Sequence, residues 1–145
     1  MSSYVDKVPL KVREMISTAD LITIARERLT DAETLLKAHR YDGAVYLCGY
    51  SIEIALKHRI CQTLNWTGFP STNREFEKFK SLKTHDLDVL LSFTGIETTL
   101  KATYLAEWSA IGVWNPEARY NPIGMINPTD ATLMINSAKT LISIL

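Results

Sequence analysis

The sequence predicts an all-α protein with a single domain, and three observations support this. Apolar residues between positions 22 and 36 recur at alternating steps of three and four, which is typical of one buried helix face. Residues 41–58 form a second helix-length segment whose apolar side chains fall on nearly every side. No segment shows the alternation expected of a strand. A chain of 145 residues suits one core.

The first helix follows a polar lead, expected to be irregular over residues 1–16. Ser17, Thr18 and Asp20 offer helix-start chemistry, because their side-chain oxygens can accept hydrogen bonds from unpaired amides. The helix should end near His39. Its buried stripe is predicted to be Ile22, Ala25, Leu29, Ala32 and Leu36.

The second helix should double back beside the first, because residues 41–43 read as a short turn, and continue to about Leu64. It must be covered on most sides, within its own domain or by a second copy of the chain. Cys48 and Cys61 lie thirteen positions apart in this helix, too far for a disulfide, so buried free thiols are expected. Its apolar residues include Val45, Leu47, Ile52, Ile54, Leu56 and Ile60.

Three segments follow. Residues 71–83 are polar and locally basic, and their pattern suits a short helix or a loop. Thr84 precedes a short apolar run, which predicts a two-turn helix ending before Gly95. A further helix is predicted over residues 96–111.

A long connection then separates this helix from the last one. Pro116, Pro122 and Pro128 exclude a continuous helix over residues 114–129, and connections of this length are often functional. Asp130 is predicted to open the final helix. Its apolar stripe is Met134, Ala138, Leu141 and Leu145.

Composition excludes several classes of protein. Sixteen basic and sixteen acidic residues cancel, so no global field attracts nucleic acid or an anionic membrane, although a local patch could. The amino terminus has no apolar run of signal-peptide length, and no window approaches the roughly twenty apolar residues of a membrane span. We therefore expect a soluble, cytoplasmic protein.

The first candidate site is the face of the second helix that carries Tyr46, Tyr50, Glu53 and Lys57 at steps of four, three and four. Two interpretations are open. Glu53 and Lys57 can form an intrahelical ion pair beside packing tyrosines, or Glu53 can point into a cleft and hold an arginine, a ribose hydroxyl or a base edge.

The second candidate is the connection WNPEARYNP, which contains Trp114, Arg119 and Tyr120. Arginine binds phosphate in a bidentate manner and aromatic rings stack on bases, so this segment could bind a nucleotide or RNA. Alternatively, the aromatic residues pin the loop to the bundle, and Arg119 bonds to loop carbonyls or to Glu53.

The remaining motifs argue against metal, cofactor and hydrolase chemistry. His39, His58 and His85 form no metal-ligand spacing, and the cysteines form no CxxC motif. His85 is expected to pack or form hydrogen bonds in the first turn of its short helix. Nucleophile elbows, P-loops and dinucleotide fingerprints are missing.

Three stretches resemble the HEPN family: LLKAHRYDGAVYLCGYSIEIALK, KTHDLDVLL and WNPEARYNP. The resemblance implies an up-and-down antiparallel four-helix bundle with an additional short helix, commonly a homodimer. It covers residues 20–145 and therefore implies one HEPN-like domain over the whole chain. The family includes metal-independent ribonuclease toxins, partners of nucleotidyltransferases and modules proposed to bind nucleotides, so the fold alone does not settle the function.

The ribonuclease branch resembles a pattern in which a histidine follows an arginine after four to six residues, and no histidine follows Arg119 here. The pair Arg119-Tyr120 is instead similar to the Arg-Tyr-Pro element of the nucleotide-binding type, although Asn121 precedes the proline. The expected function is a dimeric module that binds a nucleotide, RNA or a nucleotidyltransferase partner without catalysis of its own. The alternative is a ribonuclease toxin of a toxin–antitoxin or defence system, with Arg119 stabilising phosphate and His85 or Tyr120 moving protons.

Overall fold

The computed structural model describes residues 15–145, so the predicted irregular lead falls mostly outside the described residues. The described part is mainly helical and its strands have only two residues each, which confirms the all-α class and agrees with a helical bundle. In chain order the elements are β1 (Ile16–Ser17), α1 (Thr18–Lys37), α2 (Tyr41–Leu64), β2 (Gly68–Phe69), α3 (Asn73–Phe76), a 3₁₀ turn (Lys80–Leu82), α4 (Leu87–Ser92), α5 (Glu97–Thr103), α6 (Leu105–Ile111), a second 3₁₀ turn (Pro116–Tyr120) and α7 (Pro128–Ile144).

The helices α1 and α2 pack side by side and form the largest contact in the described chain. Ser17 begins α1, because its side chain accepts a hydrogen bond from the Asp20 amide at 3.2 Å. The link between the helices has only three residues, and His39 within it adopts a left-handed conformation with φ 61°. Both helix positions are confirmed, but the turn predicted at residues 41–43 is wrong. These residues form the first turn of α2, because the Ala44 amide already donates to the Arg40 carbonyl at 3.0 Å, and the link is residues 38–40.

The core is organised around α2, as its apolar pattern predicted. Cys48, Ile52 and Leu56 are fully buried, whereas Val45 and Leu47 are only partly so. Helix α7 packs against α1, α2 and α6. Its predicted stripe is confirmed, since all four members are buried: Met134, Ala138, Leu141 and Leu145.

Two elements differ from the sequence prediction near the ends of helices. Ile16, expected in an irregular lead, pairs with Phe69 in a two-residue antiparallel ladder. The start of α4 is Asp86 rather than Thr84, because the Asp86 carboxylate accepts hydrogen bonds from the Asp88 and Val89 amides at 2.9 and 3.2 Å.

The single helix predicted over residues 96–111 is wrong, because Tyr104 divides it into α5 and α6. The backbone of Tyr104 leaves the helical region with φ −125° and ψ 37°. Three threonines in α5 give it a weak helix propensity. With this bend, Leu100 and Trp108 are both buried, and the Trp108 indole donates to Asp88 at 3.0 Å.

The segment left open between helix and loop contains both α3 and the first 3₁₀ turn. The long connection carries the second 3₁₀ turn and is otherwise irregular. Helix α7 starts earlier than predicted, at Pro128, with Asn127 accepting a hydrogen bond from the Asp130 amide at 2.8 Å. No helix among residues 15–145 has the length and apolar character needed to cross a membrane.

Candidate functional site

The central group of the candidate site is Glu53, a carboxylate in the middle of α2 that is only 3% exposed. Its Oε2 accepts from Lys57 Nζ at 3.0 Å, so the predicted intrahelical pair forms. Its Oε1 lies 2.7 Å from His85 Nδ1, which comes from the segment before α4. A buried carboxylate needs such partners, because an unpaired buried charge is costly.

The bond between Glu53 and His85 was not predicted from the sequence. The two residues lie 32 positions apart, and helix periodicity gives no information on contacts at that distance. His85 was expected inside the first turn of the short helix. Because Asp86 caps α4, His85 instead precedes the helix, and its side chain remains 59% exposed.

Three aromatic rings cover the same side of α2. The ring centroids of Tyr46 and Tyr50 are 5.2 Å apart, and those of Tyr50 and Trp114 are 4.9 Å apart, both edge to face. The Trp114 indole donates to the Tyr46 carbonyl at 3.1 Å and lies flat against Gly49. Trp114 is only 6% exposed, so it pins the loop to the bundle and offers no free face for stacking on a base.

Burial raises the pKa of Tyr50 to about 12, with smaller contributions in the same direction from Tyr46 and Glu53. The nearby charge of Arg119 acts in the opposite direction. Tyr50 therefore stays protonated at neutral pH. The connection brings Arg119 to the surface that carries the tyrosines, since Tyr46 and Arg119 line the same cleft.

Arg119 itself is exposed and lies at the end of the second 3₁₀ turn. Its guanidinium carbon is 4.7 Å from the centroid of the Tyr120 ring, and its Nη1 donates to the Pro116 carbonyl at 3.4 Å. Tyr120, first in effect, and Tyr46 raise the pKa of Arg119 above its ordinary value, so the group is permanently charged.

The predicted contact between Glu53 and Arg119 is not present. Among residues 15–145, Arg119 forms no ion pair with any carboxylate within 4 Å, and the oxygens of Glu53 are occupied by Lys57 and His85. The hydrogen bond of Arg119 to a loop carbonyl realises one of the alternatives drawn from the sequence. The short 3₁₀ turn directs Arg119 outwards, away from the buried carboxylate.

Two clefts lie beside the residues described above. The Arg119 cleft, of about 270 Å³, lies between the first turns of α2 and the connection, with Tyr46 and Arg119 in its wall. The His85 cleft, of about 450 Å³, is bordered by three carboxylates, those of Asp86, Asp88 and Glu117. Within the described residues, no three histidine, cysteine, aspartate or glutamate side chains are grouped so that they could hold a metal ion.

Residues 18–72 match the family model of the HEPN domain. This part of the chain, 55 of its 145 residues, is therefore similar to the HEPN domain. The matched stretch contains α1, the link and α2, and thus the whole polar face of α2. Arg119 and the rest of the long connection lie outside it. Neither the curated proteins nor the solved structures gave a significant match.

Proposed function

We propose that this HEPN-like domain is a binding module without catalysis of its own, and that it holds the phosphate of a nucleotide or RNA at Arg119. The similarity of residues 18–72 to the HEPN domain supports a function related to nucleotides or RNA. The single observation that carries the proposal is the exposed guanidinium of Arg119, which lies on Tyr120 at the Arg119 cleft and has no carboxylate partner among residues 15–145.

The chemistry of these groups suits a phosphorylated base. A guanidinium presents parallel N–H donors that match two phosphate oxygens. Tyr120 is 73% exposed, and Arg119 covers one face of its ring, so the other face can stack on a base. Tyr46 contributes a phenol to the wall of the same cleft. Trp114, buried against Gly49, acts in this proposal by fixing the loop.

Glu53 and Lys57 act in the proposal as positioning residues. Glu53 holds His85, whose ring packs edge to face with Tyr50 at 6.3 Å. Tyr50 in turn contacts the Tyr46 ring beside the Arg119 cleft. The pair of Glu53 and Lys57 thus stabilises the positions of the two tyrosine rings without contacting the ligand itself.

We further propose that the domain forms a homodimer through apolar side chains that the described chain leaves exposed. Val113 is 79% exposed and Leu133 is 56% exposed, and both line one apolar cleft. The substitution Val113→Glu should shift the molecular mass measured by light scattering from dimer to monomer. A wild-type protein that is monomeric would refute this part. A nucleotidyltransferase or an antitoxin is the further partner that we propose.

The variant Arg119→Ala tests the binding site. We expect it to lose binding of nucleotide while its thermal midpoint stays nearly unchanged, because the side chain is exposed. Arg28→Gln is the matched control, since it also removes one positive charge but from an arginine already paired with Asp31 at 3.1 Å. A large loss of stability in Arg119→Ala would favour a purely structural role.

The bond between Glu53 and His85 favours a second candidate, a metal-independent ribonuclease. An imidazole held through Nδ1 leaves Nε2 to take the proton of a ribose 2′-hydroxyl. The 2′-oxygen would then bond to phosphorus while the bond from phosphorus to the 5′-oxygen breaks, and the 5′-oxygen would take up the proton that the imidazole had accepted. Arg119 would stabilise the charged phosphate. The three carboxylates around the His85 cleft oppose this, because they repel RNA.

A cleavage assay separates the two candidates. Single-stranded RNA and transfer RNA are incubated with a chelator and with the wild type, Arg119→Ala or His85→Ala. The binding module should cut neither RNA. Cleavage by the wild type that both substitutions abolish would instead establish the ribonuclease.

A further inference from the structure

We propose that His39, Arg40 and Tyr41 form a second nucleotide subsite beside the Arg119 cleft, so that the ligand is a single-stranded oligonucleotide. This proposal rests on the proposed function, which it deepens by naming the ligand class. Each subsite would bind one phosphate through an arginine and one base against an aromatic ring. We call the cleft at the second subsite the Arg40 cleft.

The Arg40 cleft has a volume of about 400 Å³ and lies between the link of α1 and α2 and residues 123–126 of the connection. Arg40 is exposed and forms no ion pair with a carboxylate of the described residues. His39 Nδ1 and the Tyr41 hydroxyl are 2.7 Å apart, and their rings meet edge to face with centroids 5.9 Å apart. The cleft therefore combines an available guanidinium with two aromatic rings.

The backbone of the link is held by its own hydrogen bonds before any ligand arrives. His39 has φ 61°, in the left-handed region that few residues without glycine's freedom adopt. The amides of His39 and Arg40 donate to the carbonyls of Leu36 and Leu35 at 3.0 and 2.8 Å. A link fixed in this way loses little conformational entropy on binding.

The two clefts are neighbours, because Asp42, Gly43, Ile123 and Ile126 line both. The Asp42 carboxylate, which lies between the two clefts, accepts hydrogen bonds from two backbone amides. Its Oδ2 accepts from the Gly124 amide at 2.8 Å and its Oδ1 from the Ile126 amide at 3.4 Å. These bonds offset part of its negative charge, so it opposes a phosphate less than an unbound carboxylate would.

Charge gives the direction in which a strand would extend from Arg119. On one side lies the Arg40 cleft, next to the end of α1 with the exposed Lys37. On the other side lies the His85 cleft with its three carboxylates. Phosphates are attracted to the first and repelled by the second, so the second nucleotide should occupy the Arg40 cleft.

The test compares ligands of different length. Fluorescence anisotropy of labelled single-stranded RNA of four nucleotides is measured by direct titration, and adenosine monophosphate competes for the same protein. The wild type should bind the oligonucleotide at least about tenfold more tightly. Arg40→Gln should remove most of that advantage and lower the slope of log affinity against log salt by about 0.7, while leaving the affinity for the mononucleotide unchanged.

The controls separate the two proposals. Arg119→Gln should weaken both ligands, and Arg28→Gln should weaken neither. If the wild type binds neither ligand, the proposed function itself fails. If it binds both equally tightly, or if Arg40→Gln binds the oligonucleotide as the wild type does, only the second subsite fails. A DNA oligomer of the same sequence separates RNA from DNA, and a loss of affinity in Arg40→Gln for either strand supports the subsite.

Discussion

Gly49→Ala tests how the long connection is attached to the bundle. A Cβ atom at this position would lie 2.1 Å from both Cδ2 and Cε2 of the Trp114 indole. Carbon atoms in contact are ordinarily about 3.5–4.0 Å apart, so the indole must move by more than an ångström or leave its site. Residue 49 is fully helical, which means that the clash arises from packing and not from an unusual backbone.

The magnitude follows from what Trp114 would lose. Trp114 is only 6% exposed, and its indole donates a hydrogen bond to the Tyr46 carbonyl and makes an edge-to-face contact with the Tyr50 ring. Removing a buried tryptophan costs about 3–5 kcal/mol. Alanine is a better helix former than glycine by about 1 kcal/mol. We therefore expect Gly49→Ala to lower the free energy of unfolding by about 2–4 kcal/mol.

Urea unfolding followed by circular dichroism measures this value. Gly43→Ala in the same helix is the matched control, because its new Cβ would meet only the flexible Leu35 Cδ1 at 3.3 Å. It should stay within about 1 kcal/mol of the wild type. In a Trp114→Ala background, Gly49→Ala should cost nothing or stabilise. An equal cost in both backgrounds would refute the reasoning.

Three further outcomes are expected. Glu53→Gln should lower the free energy of unfolding by about 2 kcal/mol in urea titrations, because Lys57 loses its charged partner in a largely buried position. An unchanged free energy would contradict a stabilising role of this ion pair. Burial first, and then the charges of Arg26 and Arg59, lower the pKa of His58, so the unfolded chain binds more protons than the folded chain as the pH falls. The free energy of unfolding should therefore decrease as the pH drops from 6.5 through the lowered pKa. His58→Gln should flatten this dependence on pH, and equal slopes in the two proteins would contradict the role of His58. Burial raises the pKa of Cys48 to about 12 and also raises that of Cys61, so a thiol reagent at pH 8 should label neither native cysteine and both in denaturant.

The helices that the sequence predicts well are those with a complete local pattern. The hairpin of α1 and α2 follows from an apolar stripe, a capping serine and a three-residue link, all of which act between near neighbours. The α7 stripe is likewise a matter of spacing. The helix break at Tyr104 could not be predicted in this way. No proline or glycine marks it in the sequence, and it depends on how Trp108 packs against α4.

The candidate site could be predicted only as two separate pieces. The pair of Glu53 and Lys57 is local to one turn of helix and was foreseen as one of two alternatives. The partner of Glu53 across the fold was not foreseen, because arginine in the connection and His85 before α4 were both available to it. The anchoring of Gly124 by Asp42 also spans distant parts of the chain, so no periodic pattern reveals the Arg40 cleft.

The most direct test of the central claim follows the arginine side chains by nuclear magnetic resonance. Isotope-labelled protein is titrated with single-stranded RNA, and the Nε–Hε signal of each arginine is assigned through its substitution. The account predicts that the Arg119 signal shifts most, with Arg40 next, while Arg28 and Arg74 remain in place. Shifts at Arg28 or Arg74 with Arg119 unmoved would contradict it.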